Sequence, residues 1–583
     1  MTERTIWARR LSEDPAGLLA LNAPPGETGQ VQPTGQASTL QVPPMAGLYI
    51  APEETDLPVV ARALETGDTS GLPPALASEV DEARRVTRFS KVRVPGAGGD
   101  ALDAVQWIHG DGTPRPAIIM PSPWADMGWL AYAVQGMRFA TKGYDVLAYS
   151  ARGFGQSEGE VEVAGEADIQ DGVEALNYFT GALGQEPTKV GFLGDSYGSG
   201  ISQIVAAQDS RVDAVVAMST WGDLATAFYE NRTRHLASVA ALLGAAKNAR
   251  LSKRTQEIFD LVLAGADIDD ILLWAEDRSP LTHIDALNAR RVPILFAQAW
   301  HETLFPSNQT LEMFNRLEGP KRLLFSVGDH SGPEMSGMIG LPNRIWSAAN
   351  RWFDHFLREE DNGTGNDSEV VSQIMWSRAL ETHPDWAAVT QDTRKLYLSS
   401  PAEGGGDGQL TEAESAGWER AFQVGTHTLA EVADTVIWTG LAEMLGRPKV
   451  YATPDIPRSD ALVWSAPATS ERLRLHGIPK LHLTVTSSTR EATFIAYLLD
   501  AGADGNAHII THAPFTAPAA TIGGSGTVDL ELQATGYDIR AGRRLMLVID
   551  SKDAFYSDTN EAPHTLTVSS PAGDASYLEL PLG

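Results

Sequence analysis

The sequence predicts an α/β fold: a parallel sheet covered by helices on both faces, with a helical insertion, followed by an all-β domain. Between residues 117 and 326, short and continuously apolar strands alternate with helical segments, which is typical of parallel strands buried on both faces. Residues 223–290 interrupt this alternation with helices alone. Beyond residue 393, short alternating segments with turns between them predict a β-sandwich of the jelly-roll type.

Composition limits the number of domains and the classes of partner. A chain of 583 residues is too long for one ordinary core, and 43% hydrophobic residues with 14 Trp are typical of a folded protein. The 75 acidic and 45 basic side chains give a net charge of -30, which argues against nucleic acid and anionic membrane as partners. The chain has no Cys, so disulfides, thiolate nucleophiles and Cys-ligated metals are excluded.

The first 85 residues predict an N-terminal extension without recognisable chemistry. Residues 22–44 are rich in Pro and Gly and predict an irregular arm, and two helical segments follow near residues 57–65 and 75–85. The first ten residues lack the apolar stretch of a signal peptide, and no run approaches 18 uninterrupted apolar residues. We therefore expect a cytoplasmic protein without a membrane span.

The predicted core is divided by the insertion. Residues 86–222 form its first part, residues 223–290 a helical cap, and residues 291–358 its second part. The core strands are predicted at residues 88–95, 102–108, 117–120, 145–149, 190–193, 214–218, 293–297 and 322–326. Residues 359–392 begin with a charged, Gly/Asn-rich stretch and predict a linker, and residues 393–583 form the predicted sandwich.

The segment Gly194-Asp195-Ser196-Tyr197-Gly198 predicts a nucleophilic serine. It follows the apolar strand at residues 190–193 and precedes a helical run, which is the strand-turn-helix setting of a nucleophile elbow. Small flanking residues let the strand and the helix approach each other at such a turn. Ser196 is therefore the predicted nucleophile, and it requires a base, a carboxylate and an oxyanion hole.

The base and the carboxylate are predicted from chain order. In an elbow-bearing α/β fold the order is serine, acid, histidine, with the later two on loops after later strands. His330 follows the strand at residues 322–326 and Glu302 follows the strand at residues 293–297. We predict His330 as general base and Glu302 as the carboxylate that orients it, with Asp223 and Asp329 as alternatives for the acid.

Two further groups are predicted around the nucleophile. The backbone N–H of Tyr197 is the first expected oxyanion donor, and the loop after residues 117–120 is expected to supply the second through Trp124. Trp124 is equally well interpreted as a wall of the pocket. The substrate pocket is predicted to include Trp221, Trp300 and His301.

Nothing in the sequence predicts a cofactor or a metal. Gly153-Phe154-Gly155 is followed by Gly159 four residues later and by no immediate helix, so it is interpreted as a structural turn rather than a nucleotide site. Walker, HExxH and EF-hand patterns do not occur.

Taken together, these motifs resemble those of the cocaine esterase / X-Pro dipeptidyl-peptidase family of α/β-hydrolases. Arg152 to Gly159 is similar to that family's RGxGxSxG loop, and Arg351 to Leu357 is similar to its WFDxxL helix end. The chain departs from the family pattern at Trp124, where Tyr is usual, and at Glu302, where Asp is usual. The resemblance implies a serine hydrolase with an α/β-hydrolase core and a C-terminal jelly roll.

The resemblance also implies the reaction. We expect hydrolysis of a small-molecule ester or amide through an acyl-enzyme, with esters favoured because several family members are esterases. The alternatives are an X-Pro-type or amino-acid-releasing peptidase, an acyltransferase or cyclase, and a non-catalytic binding protein on the same fold. An aminopeptidase would need carboxylates for the substrate ammonium, and Asp267, Asp269 and Asp270 of the cap are the candidates. The oligomeric state is left open, with a homodimer as one option.

Overall fold

The computed structural model describes residues 56–377, 380–402, 405–488, 491–517, 526–560 and 564–583. The predicted arm at residues 22–44 lies outside these ranges. The helices are α1 Leu57–Thr66, α2 Pro74–Val86, α3 Ala133–Thr141, α4 Glu166–Leu183, α5 Tyr197–Gln208, α6 Leu224–Phe228, α7 Leu236–Ala245, α8 Lys253–Ala264, α9 Ile268–Glu276, α10 Ile284–Arg290, α11 Ser307–Arg316, α12 Gly332–Met338, α13 Arg344–Phe356 and α14 Trp438–Met444. No helix in this part of the chain has the length and apolar character needed to cross a lipid bilayer.

The first sheet has ten strands. They are β1 Arg88–Pro95, β2 Ala101–Ile108, β3 Ala117–Pro121, β4 Asp145–Tyr149, β5 Val190–Asp195 and β6 Val212–Met218, and then, after the short hairpin of β7 Tyr229–Glu230 and β8 Thr233–Arg234, β9 Ile294–Ala299, β10 Lys321–Ser326, β11 Val370–Gln373 and β12 Leu380–His383. Their order is β1-β2-β4-β3-β5-β6-β9-β10-β11-β12. The strands from β4 to β11 pair in parallel, and β1, β2 and β12 pair antiparallel at the edges.

Helices cover both faces of this sheet, because its central strands are apolar at successive positions. Every residue of β3, β4, β5 and β9 is buried. One face packs against α1, α2, α3 and α13, and the other packs against α4, α5, α10 and α11. Burial on both faces leaves the carboxyl ends of the parallel strands as the edge where a site can open.

The connection between β6 and β9 consists of α6 to α10 and the short hairpin. These helices pack over the carboxyl ends of the parallel strands, and their apolar side chains continue the hydrophobic core of the sheet. This connection is the predicted cap.

Residues 359–392, predicted as a linker, contain β11 and β12, which complete the first sheet. β11 pairs with β10 in parallel over three residues, Leu323 with Val370 to Phe325 with Ser372. The segment joins a sheet through backbone hydrogen bonds although its composition is charged and rich in Gly. The linker prediction is therefore wrong for these eight residues.

In its described residues, the second domain consists of β-strands, the helix α14 and a short 3-10 helix at Thr453–Asp455. Its strands are β13 Asp392–Leu398, β14 Gly408–Thr411, β15 Trp418–Gln423, β16 Tyr451–Ala452, β17 Ala461–Ser465, β18 Leu473–Gly477, β19 Lys480–Ser487, β20 Ala492–Ala501, β21 Asn506–Ala517, β22 Gly526–Glu531, β23 Thr535–Ile539, β24 Arg544–Asp550, β25 Thr565–Ser570 and β26 Tyr577–Leu582. They form one continuous, mostly antiparallel network of fourteen strands. Its hydrophobic core continues into the core beneath the cap, so the second domain packs directly against the region of the site.

Candidate active site

Ser196 occupies a strained turn between β5 and α5. Its φ of 51° and ψ of -118° lie where a side chain other than glycine is disfavoured, as expected for a nucleophile elbow. The Ser196 N–H donates to the carbonyl of Met218 on the neighbouring strand β6, at 2.8 Å. This bond holds the turn against the sheet.

The glycines on either side of Ser196 are required by close backbone contacts. A Cβ on Gly194 would lie 2.0 Å from the carbonyl carbon of Gly198, and a Cβ on Gly198 would lie 2.1 Å from the carbonyl oxygen of Pro121. Neither contact can be relieved by moving a side chain. The elbow therefore presses against the loop after β3, from which Trp124 comes.

The structure brings Ser196, His330 and Glu302 together in one hydrogen-bonded row. His330 Nε2 lies 2.7 Å from Ser196 Oγ, and His330 Nδ1 lies 2.9 Å from Glu302 Oε1. All three residues are buried. Glu302 follows β9 and His330 follows β10, so the two adjacent parallel strands deliver both side chains to the same edge as the elbow.

The two alternative carboxylates have other partners. Asp329 Oδ1 accepts from the backbone N–H groups of Thr303 and His330, both at 2.7 Å, and therefore ties the loops after β9 and β10 together. Asp223 accepts from Ala225 N–H at the start of α6 and caps that helix. Of these three carboxylates, Glu302 is the one that accepts a hydrogen bond from the His330 ring.

His330 is an unusually basic imidazole in this setting. Burial by itself lowers the pKa of His330, but the charge of Glu302 and the hydrogen bond to it outweigh burial and raise the pKa to about 9. The arrangement therefore stabilises the imidazolium, which is the form that a general base reaches after it accepts the serine proton.

Asp195, next to the nucleophile, helps to hold the histidine loop. Its carboxylate accepts from the Ser331 hydroxyl at 2.8 Å, and the Ser331 N–H donates to the Ser219 hydroxyl at 2.8 Å. Burial raises the pKa of Asp195 to about 6. The sequence motif marks Asp195 only as a residue of the elbow, and this bridge to the histidine loop depends on the fold.

The predicted oxyanion donors lie beside the elbow. Tyr197 is the first residue of α5, so its N–H has no partner within the helix. The Trp124 indole N–H donates to the carbonyl of Leu242 in α7, at 2.9 Å, and is not free to bind an oxyanion. The backbone N–H of Trp124 forms no hydrogen bond within the described ranges. It is therefore the group through which Trp124 can donate to an oxyanion.

A small apolar cavity adjoins Ser196. Its lining residues come from the elbow, the loops of the core and the cap, and none of them is charged: Trp124, Val163, Ser196, Tyr197, Trp221, Leu224, Phe228, Leu242, Phe259 and Phe305. The cavity measures about 20 Å³. The centroids of the Trp124 and Tyr197 rings lie 5.1 Å apart in an edge-to-face contact, and the two rings form one wall of the pocket. The ring of Trp124 therefore has the predicted role of a pocket wall.

Of the three predicted pocket residues, Trp221 lines this cavity, and Trp300 and His301 lie outside it. The Trp300 ring stacks on Phe325 at 3.8 Å, and its indole donates to the carbonyl of Gln373 on β11. Both side chains are held by partners away from Ser196, Trp300 by β11 and His301 by the second domain. Of the predicted pocket residues, the lining of this cavity therefore includes Trp221 but neither Trp300 nor His301.

His301 instead joins the acid loop to the second domain. Its Nδ1 lies 2.5 Å from Glu443 of α14 and its Nε2 lies 2.9 Å from the carbonyl of Ile510 on β21. Both partners accept hydrogen bonds, so both ring nitrogens carry a proton. Burial lowers the pKa of His301, but Glu443 outweighs it and raises the pKa to about 9.

The sequence does not indicate which cap residues line the pocket. Leu224, Phe228, Leu242 and Phe259 lie on three cap helices at positions that are indistinguishable from ordinary core positions. Only the packing of the cap over the elbow shows that they face the nucleophile.

Comparison with known proteins places this geometry in a family. The family model of the X-Pro dipeptidyl-peptidase (S15 family) matches residues 98–332, and the model of the X-Pro dipeptidyl-peptidase C-terminal non-catalytic domain matches residues 358–578. The chain belongs to the cocaine esterase / X-Pro dipeptidyl-peptidase family. It is therefore a serine hydrolase.

Individual relatives of this family are distant. Cocaine esterase from Rhodococcus sp. (strain MB1 Bresler) is 24% identical over 483 residues, covering 72% of this chain and 81% of the relative. Acyltransferase drtE from Aspergillus calidoustus is 22% identical over 271 residues, covering 41% of this chain and 88% of the relative. The crystal structure of a CocE/NonD family hydrolase from Staphylococcus aureus aligns with a TM-score of 0.64 at 13% identity, covering 85% and 94% of the two chains. The predicted fold class is confirmed.

Proposed function

We propose that this chain hydrolyses carboxylic esters with an apolar, uncharged acyl group through an acyl-enzyme on Ser196. His330 Nε2 takes the Ser196 hydroxyl proton as Oγ bonds to the substrate carbonyl carbon. The tetrahedral intermediate then collapses, and His330 gives the proton to the departing alcohol. Glu302 holds the ring and stabilises the imidazolium between these transfers.

Deacylation repeats the same proton transfers with water in place of serine. His330 takes a proton from the attacking water, and returns it to Ser196 Oγ when the acid product leaves. The backbone N–H groups of Tyr197 and Trp124 are the proposed donors to the oxyanion in both halves. Developing negative charge is favoured there because the start of α5 points at it.

The observation that carries the ester proposal is the wholly uncharged lining of the cavity beside Ser196. Aromatic and aliphatic walls stabilise an apolar acyl group by removing its surface from water, and they offer no partner to a charge. An ester with a hydrocarbon acyl chain therefore fits this cavity better than a substrate with an ammonium group next to the carbonyl.

The acidic residues considered for an aminopeptidase do not face the cavity. Asp267 and Asp269 are exposed at the start of α9, and Asp270 forms an ion pair with Arg254 of α8. None of the three is among the residues that line the cavity. These carboxylates therefore form a solvated, acidic helix start rather than part of the substrate site.

The test compares p-nitrophenyl esters of increasing acyl length with amino-acid p-nitroanilides, and labels the enzyme with a fluorophosphonate. We expect ester turnover, little anilide turnover, and labelling that the Ser196→Ala variant loses. Preferred cleavage of the anilides would refute the ester proposal. Retention of label or of full activity in Ser196→Ala would refute the acyl-enzyme.

Acyl transfer to an alcohol or amine is the second candidate. It is supported by the similarity to a protein named as an acyltransferase and by the small, apolar cavity, in which water has few polar partners. The two functions are distinguished by their products. If a series of alcohols or amines is added at a fixed ester concentration, an acyltransferase should form the acylated alcohol or amine at the expense of the free acid. A product that remains entirely the free acid rejects this candidate.

A further inference from the structure

A cluster of one carboxylate and two imidazoles joins the two domains away from the catalytic residues. Glu381 and His383 are two residues apart on β12, the last strand of the first sheet, so their side chains share one face. His476 lies on β18 of the second domain. One oxygen or nitrogen from each of the three side chains lies within 4.8 Å of the others.

We propose that Glu381, His383 and His476 bind a divalent transition-metal ion, with Zn²⁺ as the expected occupant, and that this ion fastens the second domain to the edge of the first sheet. Two imidazoles and a carboxylate are ligands that Zn²⁺ accepts, whereas Ca²⁺ and Mg²⁺ prefer oxygen alone. The proposal concerns the fold and is independent of the function proposed for Ser196.

The two imidazoles of the cluster contain buried nitrogens that a metal ion could satisfy. His383 Nε2 and His476 Nδ1 are buried and have no hydrogen-bond partner among the described residues. An unpaired buried polar nitrogen is costly, and a metal ion would satisfy both. His476 is fully buried and His383 is 8% exposed, so bulk water does not satisfy them.

The hydrogen bond of His476 indicates which of its ring nitrogens can accept a metal ion. Its Nε2 lies 3.1 Å from the Ser372 hydroxyl on β11, which suits an Nε2–H donor and leaves the lone pair on Nδ1. A histidine that binds a metal ion usually donates a hydrogen bond from one ring nitrogen while the other nitrogen faces the ion.

The spacing of the three side chains approaches that of a coordination shell. Glu381 Oε2 lies 3.6 Å from His476 Nδ1 and 3.9 Å from His383 Nε2. Tetrahedral Zn²⁺ with bonds of about 2.0 Å places its ligand atoms roughly 3.3 Å apart. The ligand atoms of the three side chains all lie within 4.8 Å of one another. Side-chain rotations that bring them closer by about 0.3 to 1.5 Å would therefore form a coordination shell.

Charge in the surroundings is compatible with a cation. Arg474 pairs with the other oxygen of Glu381, but its Nε and Nη2 are also held by Asp538, each at 2.7 Å. The two carboxylates therefore exceed the single buried guanidinium by one negative charge. Arg472 contacts Asp538 from a largely exposed position and is screened by solvent.

The cluster also lies beneath the acid loop. The His476 ring is 5.9 Å from that of Trp300, which comes two residues before Glu302. An ion at this position would hold β12, β18 and Trp300 in fixed relative positions.

The test measures zinc in the full-length enzyme, purified with ZnCl₂ and freed of loose metal by a weak chelator. We expect about one equivalent of Zn²⁺ and a Tm that falls when a strong chelator removes it. Glu381→Gln and His383→Gln should each weaken Zn²⁺ binding by more than about 100-fold, which exceeds the effect of losing a residue that only hydrogen-bonds to a ligand. His427→Gln, an exposed histidine 3.2 Å from Glu431, is the matched control and should bind Zn²⁺ like the wild type.

Titration of the metal-free wild type with Co²⁺ keeps the proposal testable if a variant fails to fold. One equivalent of Co²⁺ should produce the visible absorption of a nitrogen- and oxygen-ligated ion, and Zn²⁺ should abolish it. Wild-type protein that binds neither ion overturns the proposal and assigns the space to water. Variants that retain full Zn²⁺ binding overturn the choice of ligands.

Discussion

Replacing Glu302 by Gln removes the charge beside His330 with little change in side-chain size. Glu302 Oε1 also accepts the backbone N–H groups of Leu304 and Phe305, at 3.1 and 3.3 Å. The carbonyl oxygen of Gln can keep both bonds. The acid loop is therefore expected to fold, so that the change in rate measures the lost charge and its effect on the ring.

The size of the effect follows from the basicity of His330. Its pKa is about 9, against 6.5 for an unperturbed histidine, so the folded site favours the imidazolium by about 3 kcal/mol. The transition state contains this imidazolium, so losing that stabilisation lowers kcat by at least a few hundred-fold. If Gln also allows the wrong tautomer, the loss approaches the ~10⁴-fold seen when a triad acid is neutralised.

The assay is the pH dependence of kcat/KM for a p-nitrophenyl ester. Only neutral His330 can accept the serine proton, so wild-type activity should rise as the pH passes about 9. Without the charge of Glu302 the pKa of His330 falls, so the variant should show a lower plateau reached at lower pH.

The matched control is Asp223→Asn, the same chemical change at a carboxylate that caps α6, where Asn is an equally good cap. It should keep nearly the wild-type rate and pH profile. A nearly wild-type rate in Glu302→Gln, or an unchanged rise with pH, would refute the assignment of the acid.

Three further predictions concern the pocket, the elbow and the domain contact. Phe259→Ala should shift the preference of kcat/KM toward longer acyl chains by about 10-fold or more, because a buried ring that lines the cavity is removed. Gly198→Ala should abolish activity and lower the free energy of unfolding by at least about 2 kcal/mol, measured by denaturant titration, because its Cβ meets the Pro121 carbonyl. His301→Gln should lower the Tm at pH 6 and have progressively less effect toward pH 10. The pKa of His301 is raised on folding, so its stabilisation is complete below about 6.5 and is lost as the pH rises through about 9.

Each of these predictions has an internal comparison. Leu263→Ala changes an exposed position of the same helix as Phe259 and should leave chain-length preference unchanged. Gly181→Ala adds a Cβ in open space within α4 and should be neutral or stabilising. A constant Tm difference between wild type and His301→Gln from pH 6 to 10 would show that His301 is not protonated in the folded state.

The sequence predicts the core well because its signals are local. Continuous apolar runs mark β3 and β4 within a residue of their observed bounds, and an elbow needs only five consecutive residues. Chain order places His330 and Glu302 after adjacent strands, which is why the structure can bring them to Ser196.

The parts that could not be predicted depend on contacts between distant segments. β11 joins the first sheet through backbone pairing, to which its side chains contribute no distinctive pattern. His301 has its carboxylate partner on α14, and the Trp124 indole has its acceptor on α7. Such contacts arise when domains pack, and neither residue type nor spacing indicates them.

The small cavity beside Ser196 has a consequence for measured affinity. A volume of about 20 Å³ holds roughly one water molecule, so an acyl group enters only after the cap side chains move apart. The binding-competent form is then a minor member of a conformational equilibrium, and the apparent affinity is the intrinsic affinity multiplied by the fraction of that form. Substitutions that loosen the contact between Trp124 and Leu242 would raise this fraction, and substrate binding would strengthen without any new contact to the substrate.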